Sequence, residues 1–149
     1  MNKNKFLTSR SSGFTLIELL VVVAILGIIA AVGVVAYNGY VDSARQKTVE
    51  NLMQQISLAQ AEYKSDYDDY VTTSCGATAD TSLNIEKELL GADSTAKERE
   101  IITDDLQYLM CIKTSSSHYE IIAEEQNVTK PCIITLNGKT LGITKGSEC

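Results

Sequence analysis

Tryptophan is absent from this chain, proline occurs once (Pro131) and histidine once (His118), and only two phenylalanines are present. Each shortage excludes something. A lone histidine argues against a zinc site, because none of the four cysteines forms a C-x-x-C pair to supply the other ligands. It also leaves no hydrolase triad: His118 falls in an alternating, strand-like stretch without a nucleophile in a recognisable context. No glycine-rich loop is placed to cradle a phosphate, since the clustered glycines Gly27, Gly33 and Gly39 lie within or just beyond an apolar run. No catalytic residue, metal or cofactor is therefore expected, and the chain reads as non-enzymatic.

The most informative absence is of charge. From Leu19 to Ala36, 18 consecutive residues carry neither a charge nor a hydrogen-bonding side chain. Between Phe14 and Val41 the only charge is Glu18. As a helix the 18-residue run rises about 27 Å, close to the thickness of a bilayer's hydrocarbon. The first 13 residues carry Lys3, Lys5 and Arg10 and no acid, a flank that stays cytoplasmic and sends the rest of the chain across the membrane. That remainder is acidic: beyond residue 13 there are 10 basic and 19 acidic side chains, a net of −9. Such a body repels phosphate backbones, so no general nucleic-acid binding is expected.

All four cysteines, Cys75, Cys111, Cys132 and Cys149, lie after the apolar run. An even count in a small polar body beyond a membrane reads as disulfides in an oxidising compartment. Four cysteines allow three pairings. The sequential one, Cys75–Cys111 with Cys132–Cys149, is the expectation adopted, because its second bond ties down a C-terminal segment that would otherwise fray.

Three roles compete for the apolar segment: a cleaved secretory signal, a permanent anchor, or a specialised assembly element. A secretory signal has an apolar core of roughly 7–15 residues. This one is longer, although Val34-Val35-Ala36 offers a weak cleavage site. Glu18 suits neither of the first two roles, since an unpaired carboxylate there costs on the order of 2–3 kcal/mol. Cutting after Gly13 would place a new amine at Phe14, four residues away, where it could pair with Glu18 in the same helix or in a neighbouring copy.

The run Ser12-Gly13-Phe14-Thr15-Leu16-Ile17-Glu18-Leu19-Leu20-Val21-Val22-Val23-Ala24-Ile25-Leu26-Gly27-Ile28-Ile29-Ala30-Ala31 resembles the N-terminus of type IV pilins and their pseudopilin relatives. The resemblance implies that a prepilin peptidase cuts between Gly13 and Phe14, that the new N-terminus at Phe14 is methylated, and that Glu18 aids subunit docking. It implies three parts: a cleaved leader at 1–13, a transmembrane and assembly half of the helix at 14–41, and a globular head at 42–149. Two features depart from the family: a 13-residue leader is long, and the proline that members often carry in the apolar helix is missing.

Beyond the membrane segment the helix is expected to continue. Val49, Leu52, Met53, Ile56, Ala59 and Tyr63 form a stripe at helical spacing, with Asp42, Arg45, Lys47, Glu50 and Glu62 mostly off it. The acidic cluster Asp66-Tyr67-Asp68-Asp69-Tyr70 ends it as a solvated loop. Residues 71 to 104 read as a surface connection with a short helix from Asn84 to Leu90 and a cap at Ser94. Four strands come next at 106–113, 118–124, 132–136 and 139–143, with a polar turn at 114–117 and Asn137-Gly138 as a two-residue hairpin signal. The expected fold is α+β: a long N-terminal helix, its apolar half protruding, packed on a four-stranded antiparallel sheet.

The expected function is structural. The chain would be a major pilin that polymerises with itself, processed by prepilin peptidase, held in the inner membrane as a single-pass protein and drawn into an extracellular filament by an assembly platform and motor. Adhesion, twitching motility or DNA uptake are the tasks such a filament serves. The alternatives are a type II secretion pseudopilin and a minor, tip-located pilin whose Lys113, Lys130, Lys139 and Lys145 bind a partner.

Overall fold

The computed structural model describes residues 13–115 and 118–149. The leader residues 1–12, with Lys3, Lys5 and Arg10, lie outside the described residues, as do Ser116 and Ser117 of the expected polar turn. The chain is α+β. A 52-residue helix, α1 (Leu16–Tyr67), is followed by a shorter helix, α2 (Ala79–Leu89), and an antiparallel sheet of β1 (Tyr108–Ser115), β2 (His118–Glu125), β3 (Ile133–Asn137) and β4 (Ile143–Lys145). The strands lie in chain order, β1-β2-β3-β4. The chain divides after Val41 into two units, with Asp42–Cys149 forming the second.

In the second unit α1 ends where the acidic cluster begins. Asp68 takes a left-handed φ of 58°, and its N–H closes the last turn on the Lys64 carbonyl at 3.0 Å. Val49, Met53, Ile56 and Gln60 are fully buried at helical spacing. The stripe thus ends on a polar residue instead of the expected Ala59 and Tyr63, which are half-buried. Gln60 fits because its amide is spent on backbone: it accepts from Val71 N–H at 3.0 Å and donates to Val71 C=O at 2.7 Å.

One sheet face completes the core. Ile112 stands opposite Ile121, Met110 opposite Ala123, Ile121 opposite Leu136 and Ala123 opposite Ile134, all fully buried. The alternation along β1, β2 and β3 therefore matches the pleat. The 71–104 stretch, expected to be a surface connection, contributes Ile85 and Ile102 to this core. Its helix begins at Ala79 instead of Asn84, because Thr78 and Thr81 cap it reciprocally. Glu86 is a buried residue of this helix, its carboxylate accepting the backbone N–H groups of Glu100, Ile101 and Ile102 at 2.8, 3.1 and 2.5 Å. The next turn is organised by Asp93, which accepts from Thr95, instead of by Ser94.

Asn137-Gly138 does not make the expected two-residue hairpin, and β4 starts at Ile143 instead of residue 139. Asn137 accepts Lys139 and Thr140 N–H on its side chain and Leu141 N–H on its carbonyl, which winds residues 137–141 into a wider turn. Gly138 is needed for space: a Cβ there would lie 2.5 Å from the Tyr119 ring. That ring is pinned by its hydroxyl, 2.7 Å from Ser57 Oγ on α1.

Candidate functional site

Every residue from Gly13 to Tyr40 is exposed, and fifteen of them are large apolar side chains between Phe14 and Val35. In water this would be untenable, since each side chain left exposed forgoes about 1.5–3 kcal/mol. The helix is long and apolar enough, by length and composition, to cross a membrane. It passes through Gly27, Gly33 and Gly39 without a break.

At its start the sequence-marked residues fall together. Gly13 and Phe14 precede the helix, nothing crowds Gly13 within 4 Å, and Phe14 is 84% exposed. Glu18 turns back on the helix entrance: its carboxylate accepts from Thr15 N–H at 2.8 Å and from Thr15 Oγ1 at 2.7 Å, while Thr15 Oγ1 accepts from Glu18 N–H at 3.3 Å. This is a capping box, with two otherwise orphaned backbone donors satisfied by two side chains. Sequence reasoning assigned Glu18 to an amine at Phe14 and missed Thr15. The signal was present in Thr15-Leu16-Ile17-Glu18, the S/T-x-x-E pattern that precedes an apolar run. The uncleaved chain has no amine at Phe14, so the carboxylate's partner here is its own first turn.

The cysteines are brought together in the expected pairs, in two different states. Cys132 and Cys149 form a disulfide. Cys75 and Cys111 are free thiols with their sulfurs 3.0 Å apart. The expected Cys75–Cys111 bond is not formed in this structure, although its two sulfurs are already in contact.

The lysines considered as a binding patch are partly spent on carboxylates. Lys113 Nζ stands 2.8 Å from Glu120 and Lys145 Nζ 2.7 Å from Glu50. His118 is half-buried with Nε2 3.8 Å from Glu120, and Nδ1 finds no hydrogen-bond partner among the described residues. A polar cleft of about 470 Å³ lies between α2 and residues 97–104, but its Arg99 is already engaged by the Ile102 carbonyl and Asp104. Among the described residues no three His, Cys, Asp or Glu side chains are grouped to hold a metal.

No curated protein and no solved structure matches the chain. Residues 8–34 match the family model described as the prokaryotic N-terminal methylation motif, which spans the Gly13–Phe14 junction, Glu18 and the apolar first half of α1. Proteins that carry this motif are structural subunits, and the motif implies processing by prepilin peptidase and entry into pilus-type assembly. The chain therefore bears, joined to an α+β body, the N-terminal hallmark of the type IV pilin and prepilin-like proteins.

Proposed function

We propose that the chain is the major structural subunit of a type IV pilus. Prepilin peptidase cuts between Gly13 and Phe14 and methylates the new amine. The subunit then waits in the inner membrane with residues 14–41 in lipid and the head, residues 42–149, outside the cytoplasm. The observation that carries this reading is the helix from Leu16 to Tyr40, exposed on every face, most of which lies within the methylation motif at residues 8–34.

Drawing fifteen large apolar side chains out of lipid into water would cost on the order of 20–45 kcal/mol. A domain of this size has only about 5–15 kcal/mol of stability to set against that. Extraction is therefore tolerable only into another apolar environment, the helices of neighbouring copies. Identical subunits joined head to tail in this way generate an open helical filament. Adhesion, twitching or DNA uptake would be properties of that filament and its motor.

The test is the intact mass and N-terminal residue of the protein in sheared surface filaments. N-methylated Phe14 as the dominant N-terminus is the expected result. A chain starting at Tyr37, or one retained in the membrane with Met1, would overturn the assignment. Correct processing without recovery in surface filaments would point to a type II secretion pseudopilin.

A further inference from the structure

Strand β1 is one edge of the sheet, and a segment before it in sequence is laid along that edge. Thr73 N–H donates to Ile112 C=O at 2.8 Å, and Thr73 Oγ1 accepts from Ile112 N–H at 2.8 Å. Two residues along the strand, Met110 N–H donates to Ser82 Oγ at 2.9 Å, and Thr81 Oγ1 donates to Met110 C=O at 2.7 Å. The outward-facing backbone groups of Met110 and Ile112 are thus satisfied by residues 73–82, which covers the middle of this edge. At Thr73 this cover is held by part-buried hydrogen bonds that water can replace, whereas Thr81 and Ser82 are buried.

Between these two attachments lies Cys111. It stands opposite Ile122, on the sheet face turned away from the Met110–Ile112 core side, yet it is only 2% exposed. The covering segment packs against it, and the exposed Cys75 holds its own sulfur 3.0 Å away. We infer that Cys75 and Cys111 are a dithiol that oxidises, by exchange with a protein or small-molecule disulfide, to a second bond clasping residues 71–82 onto the edge of β1.

The exposures set the order of steps. Cys75, reachable from solvent, attacks the carrier's disulfide as thiolate; a Cys75–carrier bond forms and the carrier's other sulfur leaves as thiolate. Cys111 then loses its proton to solvent and attacks Cys75 Sγ. The Cys75–Cys111 bond forms and the carrier's second sulfur departs. Two electrons pass to the carrier, which takes up two protons and ends as a dithiol. Burial holds the Cys111 thiol up to about 12, so the second step is slow and rises with pH. A species with Cys132–Cys149 closed and this pair open is the expected intermediate of the oxidation. None of this depends on cleavage at Gly13 or on polymerisation.

The experiment uses the full chain in detergent, treated in separate arms with oxidised glutathione and with an oxidised thioredoxin-fold oxidase. Samples are quenched in acid, alkylated and peptide-mapped. The expected product in at least one arm is a Cys75–Cys111 cross-linked peptide with a mass loss of two hydrogens, and the productive arm identifies the carrier class. C111S should stop at a mixed disulfide on Cys75, and C75S should leave Cys111 unmodified. Closure should slow amide exchange at Thr73 and Ile112 by at least about tenfold, the clasp removing local opening. Persistence of both thiols in both arms, a lasting adduct on wild-type Cys75, or Cys75–Cys75 dimers in place of the internal bond would each overturn the inference. An internal bond without slower exchange at Thr73 would overturn its role as a clasp.

Discussion

Thr15 and Tyr119 carry more of the structure than their chemistry announces. At the helix entrance, Thr15 and Glu18 form a closed pair of backbone-to-side-chain bonds, whose removal costs about 1 kcal/mol. Thr15→Val should therefore raise amide exchange in the first turn of α1 roughly fivefold, whereas Thr15→Ser should leave it near wild type, as read by hydrogen exchange of the detergent-solubilised chain. Equal protection in both variants would mean that the cap contributes nothing. Tyr119 occupies the space Gly138 leaves, its hydroxyl on Ser57. Gly138→Ala must push the ring off that contact, an overpacking cost of about 1–3 kcal/mol. Tyr119→Phe loses only the hydrogen bond, about 1 kcal/mol. Core amides such as Ile121 should exchange faster in both variants, and more so in Gly138→Ala. The two cases differ in legibility. Thr15-x-x-Glu18 could be read from four adjacent residues, but Ser57 and Tyr119 meet across 62 positions, and only the closed sheet brings them together.

Among the elements, the most legible were those with a clean period. The apolar stripe of α1 and the alternation of β1 to β3 are written in Val49, Met53 and Ile56 and in Ile112, Ile121 and Leu136, because burial on one face leaves a repeating mark. Helix α2 was half-read. Its first turn, Ala79-Asp80-Thr81, has no apolar stripe and exists because Thr78 and Thr81 cap it and Thr81 and Ser82 bond the edge of β1. The final strand was misplaced because Asn-Gly signals a turn without fixing its width. That strand makes an electrostatic attachment to α1, with Lys145 held by Glu50, itself shared with Lys47. Lys145, then Lys47, holds the Glu50 carboxyl below its ordinary value, and Lys113 does the same to Glu120. When folding depresses a carboxylate in this way, the unfolded chain binds the proton at a higher pH than the folded one. The stabilisation is therefore full above the ordinary carboxylate range near pH ~4.3 and is lost as pH falls through the lower folded values. Acid unfolding of the head should shift to higher pH in Glu50→Ala, and thermal stability at pH ~7 and pH ~3 should differ less in that variant than in wild type. An unchanged pH profile would mean that Glu50 is not a source of the acid sensitivity.

At the scale of the whole molecule, two chemistries share one helix. From Gly13 to Tyr40 every residue is exposed and most are apolar, and from Asp42 onward the chain buries its own core beneath an acidic exterior. The second unit is self-sufficient in its contacts, and the Cys132–Cys149 bond, closing a separation of 17 residues, adds about 3 kcal/mol in the chain-entropy model. Among its described residues the first unit buries no side chain, so its surroundings decide its state. This asymmetry gives a prediction that separates assembly from folding. A charge at the middle of the apolar run, as in Ile28→Asp, costs about 2.5–3.5 kcal/mol in lipid, or in any apolar bundle of neighbouring helices. Because Ile28 is exposed and belongs to the first unit, the substitution should leave the Cys132–Cys149 bond and the protection of Ile121 unchanged. It should lower the fraction of chain retained in membranes after an alkaline wash, and lower filament yield further, because each polymerised copy meets the charge on its neighbours as well as its own. Ile28→Val, which keeps the apolar surface, should pass both tests. Loss of the head's fold together with membrane retention would mean that the two units are not energetically separate. Wild-type filament yield in Ile28→Asp would mean that apolar burial between helices is not what offsets extraction from lipid.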